Sequence, residues 1–210
     1  MGIILCLMNI QALGAASPAE RALTYVGQDE FTSGAKNATE LLKYLKRGDT
    51  VLIATAYRGF PLTTRQSAAT RALEAAGYKA KFLFVGPDIV AAQGIVNAFV
   101  AANPDVNAFM TLDGTAVTAV GNYLKSVGKA GKVPFSSFDL DISTVDLIEK
   151  GVVDFTLDQE PFAQGYMSIV NLYFAYRYGL NPVDINTGTL IINKSNIRHL
   201  AKLVSEGIGG

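Results

Sequence analysis

Short apolar runs alternate with longer amphipathic segments along the first three quarters of this chain. The apolar runs are continuous, as is typical of strands buried on both faces of a parallel sheet. They predict strands at residues 50–56, 79–85, 106–112, 132–138 and 153–157. Helical patterns follow at residues 63–77, 88–103, 113–128 and 141–151. This repeated strand–helix order predicts an α/β fold with a doubly wound parallel sheet.

One more helix is predicted before the first of these strands. In TSGAKNATELLKYLKR (32–47), apolar residues at positions 35, 38, 41, 42 and 45 fall on one stripe. Thr and Ser at the start suit an N-cap, and Gly48 suits the end of the segment.

The pattern changes after residue 157. The segment DQEPFAQGY is a polar junction that contains Pro and Gly, and the helix predicted at 162–178 carries six aromatic residues. We expect this helix to lie on a large apolar surface. A loop (NPVDINTG) and a final strand at 189–194 follow.

The opening segment MGIILCLMNIQALGAAS has two interpretations. A secretory signal would carry positive charge at its start, yet no Lys or Arg precedes Arg21, and Asn9 and Gln11 interrupt the apolar run. The run Ile3 to Met8 is short and continuous, which favours a buried strand.

Composition narrows the class of protein. Half of the 210 residues are hydrophobic, which predicts a folded protein. Eighteen basic and eighteen acidic residues give no net charge, so nucleic acid is not expected as a partner. A single Cys (Cys6) and a single His (His199) exclude an intramolecular disulfide and a His/Cys zinc cluster, so no metal is predicted. No apolar stretch reaches the 18 residues that span a bilayer.

Polar residues near the carboxyl ends of the predicted strands are the candidates for ligand binding, because open α/β sheets bind ligands at that edge. They are Asn9, Arg65, Asp113, Asp139 and Gln159, with Asp29 in the VGQDE turn. Carboxylates, amides and a guanidinium can form paired hydrogen bonds to adjacent sugar hydroxyls. Asp113 and Asp139 each also suit helix capping, and Arg65 is expected in the first turn of a helix, where a cation is unfavourable.

Catalytic motifs are absent from the sequence. It contains no G-x-G-x-x-G, no phosphate-binding loop and no G-x-S-x-G elbow. His199 falls in a polar segment and Cys6 in an apolar strand, where neither is expected to act chemically. We therefore predict a binding protein without a cofactor rather than an enzyme. A small α/β enzyme stays as a third hypothesis.

Three segments resemble a known family. They are YVGQDEFTSGAKNA, SSFDLDISTVDLIEKGVVDFTLDQEPFAQGY and GLNPVDINTGTLIINKSNI, and the junction D-Q-x-P-x-x-Q-G-Y is the most specific of their motifs. They are similar to the ribose-type (type I) periplasmic sugar-binding proteins of bacterial ABC importers, over about residues 2–197. That resemblance implies two α/β lobes joined by three crossings, which close on a sugar between them.

The resemblance also implies roles for individual residues. It makes Arg65, Asp139 and Gln159 sugar contacts of the second lobe, with Phe138 as a packing surface for the sugar ring. Asn9 takes a first-lobe position where ribose binders carry Asp, and Leu112 a position where Asn is common, so the sugar is left open. The expected hinge crossings contain Asp29 in the first, Asp158 with Gln159 in the second, and Asn186 to Gly188 in the third.

The resemblance implies an unequal pair of lobes. Residues 31–158 are expected to form a complete C-terminal lobe. Residues 1–30 are expected to be a remnant of the N-terminal lobe, and residues 159–210 its return segment with helix, hinge and final strand. Family members carry three earlier strand–helix units, about 90 residues, so we expect the chain to be truncated, with a complete C-terminal lobe and an incomplete N-terminal lobe. We also expect self-association through the exposed first-lobe remnants.

The leading hypothesis is a periplasmic solute-binding protein that delivers a simple sugar to the membrane subunits of an ABC importer. The alternative is the effector-sensing domain of a LacI-family transcription regulator, which shares the fold. The sequence upstream separates them, since one predicts a signal peptide and the other a helix-turn-helix.

Overall fold

The computed structural model describes residues 3–10, 22–188 and 190–208. In chain order, the strands are β1 (Cys6–Met8), β2 (Thr24–Gly27), β3 (Thr50–Thr55), β4 (Lys79–Phe84), β5 (Val106–Thr111), β6 (Phe135–Phe138), β7 (Phe155–Asp158), β8 (Ile185–Asn186) and β9 (Leu190–Asn193). The helices are α1 (Glu30–Leu41), α2 (Phe60–Ala75), α3 (Ile89–Ala102), α4 (Gly114–Ser126), α5 (Ile142–Glu149), α6 (Pro161–Tyr178) and α7 (Ile197–Ser205).

The strands form two sheets. The larger has six strands in the order β4-β3-β5-β6-β7-β9, and the smaller has the order β1-β2-β8. Every pairing is parallel except that of β7 with β9. The predicted α/β fold with a doubly wound parallel sheet is confirmed.

Alternate residues of the large sheet point into two separate cores, because side chains alternate across a strand. In β5, Phe109 packs into a core with residues of α3, α4, α5 and α7, whereas Met110 packs into one with residues of α1 and α2. Phe135 and Phe155 enlarge the first and second core, respectively. The two cores hold the large sheet between two helical layers.

The C-terminal segment departs from the expectation for residues 159–210. The final strand does not belong to the small sheet: β9 runs antiparallel along β7, with Phe155 opposite Asn193 and Asp158 opposite Leu190. Ile192 of β9 and Ile197 and Val204 of α7 are buried in the first core. That part of the expectation is wrong, because antiparallel β9 covers the edge of β7, and the amphipathic α7 then packs on α5.

The polarity of α6 is also unexpected. Its side toward the small sheet is polar: the Asn171 side-chain amide donates to Thr24 Oγ1 (3.2 Å) and to the Val183 carbonyl (3.0 Å). Its six aromatic side chains are instead 43% to 80% exposed, so within the described residues they lie on no apolar surface.

Two helices begin earlier in the chain than the sequence predicts. Asp29, rather than Thr or Ser, caps α1 by accepting from the Thr32 backbone N–H (2.6 Å). Helix α2 begins at Phe60 after Gly59, whose φ of 141° is a conformation that favours glycine. Arg65 therefore lies beyond the first turn of α2, so the expected conflict with the helix dipole is absent.

Candidate ligand-binding site

The chain passes between the two sheets at residues 27–30, at residues 158–161 and after residue 186, and these three crossings lie side by side. Gln28 of the first crossing donates from Nε2 to Gln159 Oε1 of the second (3.1 Å). Gln164, at the start of α6, donates to Thr187 Oγ1 of the third (3.0 Å). Four of the six predicted ligand-binding residues lie where these crossings meet the end of the large sheet: Arg65, Phe138, Asp139 and Gln159.

Arg65 is buried at this edge of the sheet. Its guanidinium carbon lies 4.7 Å from the centre of the Phe138 ring, an arrangement that favours a cation–π contact. Nη1 donates to the Leu112 carbonyl (2.8 Å), while Nε and Nη2 both donate to the Glu30 carboxylate. The guanidinium plane is therefore held from three directions.

Asp139 and Gln159 form the second part of the site. Gln159 Nε2 donates to Asp139 Oδ1 (2.6 Å), and the backbone N–H of Gly114 donates to Asp139 Oδ2 (3.1 Å). Asp141, not Asp139, caps α5 through the Thr144 N–H (2.7 Å), so the capping alternative for Asp139 is wrong for that helix.

Asn9 reaches the site from the small sheet. Its Nδ2 donates to Gln159 Oε1 (3.3 Å) and to Gln164 Oε1 (3.2 Å). The Tyr25 hydroxyl lies 2.9 Å from the Asn9 carbonyl oxygen, which fixes the turn after β1. A residue that follows the small sheet and residues at the end of the large sheet are thus in direct contact.

Backbone strain is concentrated here. Among the described residues, the non-glycine residues with positive φ are Asn9 (67°), Asp139 (71°) and Glu160 (54°). Such conformations are costly for residues with a Cβ and cluster at functional sites. All three belong to, or directly follow, the candidate ligand-binding set.

Burial shifts the acidity of the carboxyl groups around the site. It raises the pKa of Asp139, and the Arg65 charge partly opposes the rise. Burial likewise raises the pKa of Glu30 against hydrogen bonds from Arg65 and Gln28. Burial raises the pKa of Asp158 to about 6.

Asp113 is engaged within the protein. One of its oxygens accepts from Thr55 Oγ1 (2.7 Å) and the Ala56 N–H (2.8 Å), and the other accepts from the Ala116 N–H (2.9 Å). It caps α4 and ties that helix to the end of β3.

The predicted hinge residues lie at or next to the crossings. Asp158 accepts from the Glu160 N–H (3.0 Å), and Asn186 accepts from the Gly188 N–H (3.2 Å). A Cβ at Gly188 would lie 2.2 Å from the Gln28 Cβ, so the third crossing passes the first at a distance that only glycine permits. Asp29, as the α1 cap, ends the first crossing.

The open space at the site is small. A cavity of about 110 Å³ is lined by Asp139, Leu140, Asp141, Asp158, Gln159 and Pro161. Ligand pockets commonly enclose about 300–1,000 Å³.

No group of three or more His, Cys, Asp or Glu side chains within residues 3–10, 22–188 and 190–208 is arranged to hold a metal ion. None of the helices in this part of the chain is long and apolar enough to cross a membrane.

Three residues of this network are absent from the sequence-based prediction: Gln28, Glu30 and Gln164. Glu30 lies one position after the Asp29 cap, and Gln164 is the second Gln of the D-Q-x-P-x-x-Q-G-Y junction. A buried Arg requires an anionic partner, and that requirement is the signal that could have pointed to Glu30.

Comparison with known proteins identifies the class. This chain belongs to the periplasmic binding protein domain family, whose model matches residues 2–177. The xylose/arabinose-binding protein XylF of Sulfolobus acidocaldarius is 26% identical over an alignment of 183 residues, and the match covers 84% of this chain and 46% of that protein. The chain thus spans about half the length of this curated relative.

Solved structures share the fold. A periplasmic sugar binding protein of an ABC sugar transporter from Legionella pneumophila is 27% identical with a TM-score of 0.81, covering 89% of this chain and 69% of that one. GanP, a glucose-galactose binding protein from Geobacillus stearothermophilus, is 23% identical with a TM-score of 0.81, over 92% and 69%. A Bacteroides fragilis protein described as a LacI transcriptional regulator is 19% identical with a TM-score of 0.78, over 94% of this chain and 69% of that one. At 23% and 19% identity, GanP and the Bacteroides protein show only that the fold is shared.

Proposed function

We propose that this chain is part of a sugar-binding protein that supplies a ribose-like pentose or a hexose to an ABC importer. The observation that carries the proposal is the convergence of Arg65, Asp139 and Gln159 beside the Phe138 ring. Donors and acceptors in this arrangement suit the paired hydroxyls of a sugar. XylF binds xylose and arabinose and the Legionella protein is a sugar-binding protein, which supports the same ligand class.

Ligand entry would require a local rearrangement. The Asn9 amide now donates to Gln159, and the adjoining cavity of about 110 Å³ is smaller than a usual ligand pocket. We propose that a sugar separates Asn9 from Gln159 and takes over their hydrogen bonds. The small sheet, which carries Asn9, would move against the large sheet.

The hinge for this motion is proposed at the three crossings, with Asp29, Asp158, Asn186 and Gly188 as its residues. Hinges are short segments that absorb a change in φ and ψ between two packed bodies. The close passage of Gly188 against Gln28 would restrict the direction of the motion.

The proposed role also implies a location and a docking partner for the protein. We propose a periplasmic location, docking to the importer's membrane subunits, and no catalytic step or cofactor. Asp113 would support the ligand-binding edge through its hydrogen bonds to Thr55 and Ala116, in addition to the predicted ligand contact.

Isothermal titration of the protein with a panel of pentoses and hexoses tests this function. Asp139→Asn keeps the size of the side chain and removes its charge, so we expect the affinity to fall by about 10-fold or more, because hydrogen bonds to charged groups are the stronger ones. Asp146→Asn, at an exposed carboxylate paired with Lys150, is the control and should bind like the wild type. Absence of binding by the wild type to every sugar would refute the proposal.

The alternative function is the effector-sensing domain of a LacI-family regulator, because the fold is compatible with both. The reading frame upstream of the Met1 codon distinguishes them. A helix-turn-helix encoded there would favour the regulator, and a signal peptide would favour the transport protein.

We also propose that two copies of the chain associate through the exposed side of α6. A groove of about 820 Å³ runs along this side, lined by residues such as Phe162, Tyr166 and Ile169. Arg177 is the one charged residue in α6, so two such helices would meet with little charge repulsion. Large exposed apolar patches mark interaction sites.

Ile169→Lys tests this surface, since Ile169 is 67% exposed. We expect the variant to shift toward monomer in sedimentation velocity. Ile142→Lys, at a 70% exposed residue on α5, is the matched control and should leave the distribution unchanged. A wild type that is monomeric at high concentration would contradict the proposal.

A further inference from the structure

The Glu30–Arg65 ion pair lies directly behind the proposed sugar contacts. Both side chains are nearly inaccessible, at 8% and 6% exposure. Arg65 Nε and Nη2 donate to the two oxygens of the Glu30 carboxylate, and Nη1 donates to the Leu112 carbonyl. Of the five guanidinium N–H groups, two are left for a ligand.

Glu30 is itself held firmly. It is the first residue of α1, where the helix dipole favours a negative charge. Gln28 Nε2 donates to Glu30 Oε1 (3.2 Å) and also to Gln159 Oε1 (3.1 Å). Glu30 is therefore connected to two of the proposed sugar contacts, directly to Arg65 and through Gln28 to Gln159.

Stability alone gives little reason for this arrangement. The desolvation of two buried charges commonly cancels most of their attraction, so an apolar pair would stabilise the fold as well. What a two-point carboxylate contact does supply is a fixed orientation of the planar guanidinium. Here that orientation lays Arg65 over the Phe138 ring.

We infer that Glu30 is a positioning residue for ligand binding, which fixes the plane of Arg65 and so decides which hydroxyls of a sugar Arg65 can reach. The inference rests on the proposed sugar-binding function. Glu30 acts through Arg65 and makes no ligand contact of its own.

A double-mutant cycle tests the inference. Glu30→Gln keeps the size of the side chain but turns one acceptor oxygen into a donor, which cannot pair with an Arg N–H. We expect sugar affinity to fall by about 10-fold to 100-fold, the range for losing a hydrogen bond to a charged group. In an Arg65→Lys background, Glu30→Gln should produce little further loss, because Glu30 acts through Arg65. Glu40→Gln, at an exposed ion pair on the same helix, should leave affinity unchanged.

Two further readouts separate positioning from a structural role. The Arg65 Nε–H resonance in a ¹H–¹⁵N spectrum without sugar should move in Glu30→Gln and stay in Glu40→Gln. Glu30→Asp, which keeps the charge, should recover part of the affinity. Equal losses from Glu30→Gln in the wild-type and Arg65→Lys backgrounds, or no loss in either, would overturn the inference. If Asp139→Asn weakens binding and Glu30→Gln does not, the sugar-binding function stands and this inference fails; if the wild type binds no sugar, both fail.

Discussion

The buried Asp158 carboxyl group should make the free energy of unfolding depend on pH. The residue is 3% exposed at the second crossing, and burial raises its pKa from 3.8 to about 6. The folded state then holds a proton more tightly than the unfolded state, so the free energy of unfolding falls as the pH rises through about 4 to 6. The difference between the two pKa values corresponds to about 3 kcal/mol at neutral pH.

Asp158→Asn removes this cost, because the amide carries no charge and its oxygen still accepts from the Glu160 N–H. We expect the variant to match the wild type near pH 4 and to be more stable by up to about 3 kcal/mol at pH 7.5. Urea denaturation followed by circular dichroism at several pH values measures the difference. Other buried carboxyl groups titrate in both proteins, so the difference reports Asp158 and its charge coupling to Glu160 and Asp139.

Asp146→Asn is the control, and its effect on stability should have the opposite sign. Lys150 holds the pKa of the exposed Asp146 below its usual range, so that variant should lose a little stability above pH 4 and none below. A stability difference between Asp158→Asn and the wild type that does not change with pH, or a loss at pH 7.5, would refute the reasoning.

Two further predictions concern packing near the site. A Cβ at Gly34 would lie 2.4 Å from the Arg65 carbonyl oxygen where α1 meets α2, so Gly34→Ala should lower the free energy of unfolding by about 1–3 kcal/mol. Gly94→Ala in α3 is the control, because its Cβ would meet open space, and it should raise the free energy of unfolding by up to about 1 kcal/mol. Asn37→Ala removes the amide that donates to the Ser137 carbonyl (2.6 Å), which should cost about 1–3 kcal/mol in thermal or urea unfolding; an effect no larger than that of the exposed Thr39→Ala would contradict this.

Much of the large sheet was predictable because its strands and helices each carry their own periodicity. The run TVLIATA predicts β3, and the apolar stripe of residues 63–77 predicts most of α2. The edge strand β9 was assigned to the wrong sheet, since strand partners are chosen by packing that is distant in sequence. The four-residue β2 is too short to produce a clear pattern.

The candidate site was predictable in part. The rule that ligands bind at strand ends points to Asp139 and Gln159, and these two side chains are in contact. Glu30 could not be identified in this way, because its role depends on how α1 packs against α2. Gln28 was missed because it follows the short strand β2, which was not predicted. The apolar pattern of α6 alone predicts a buried helix, whereas an incomplete N-terminal lobe predicts that its aromatic side is exposed, and these side chains are exposed.

We expect a sugar to bind between Arg65, Asp139 and Gln159. The most direct test is a ¹H–¹⁵N spectrum of the side-chain resonances during titration with the sugar that binds most tightly in calorimetry. The Arg65 Nε–H signal and the Gln159 and Asn9 amide signals should shift together and saturate with the calorimetric affinity. Saturating shifts confined to other residues, with these three signals unchanged, would contradict it.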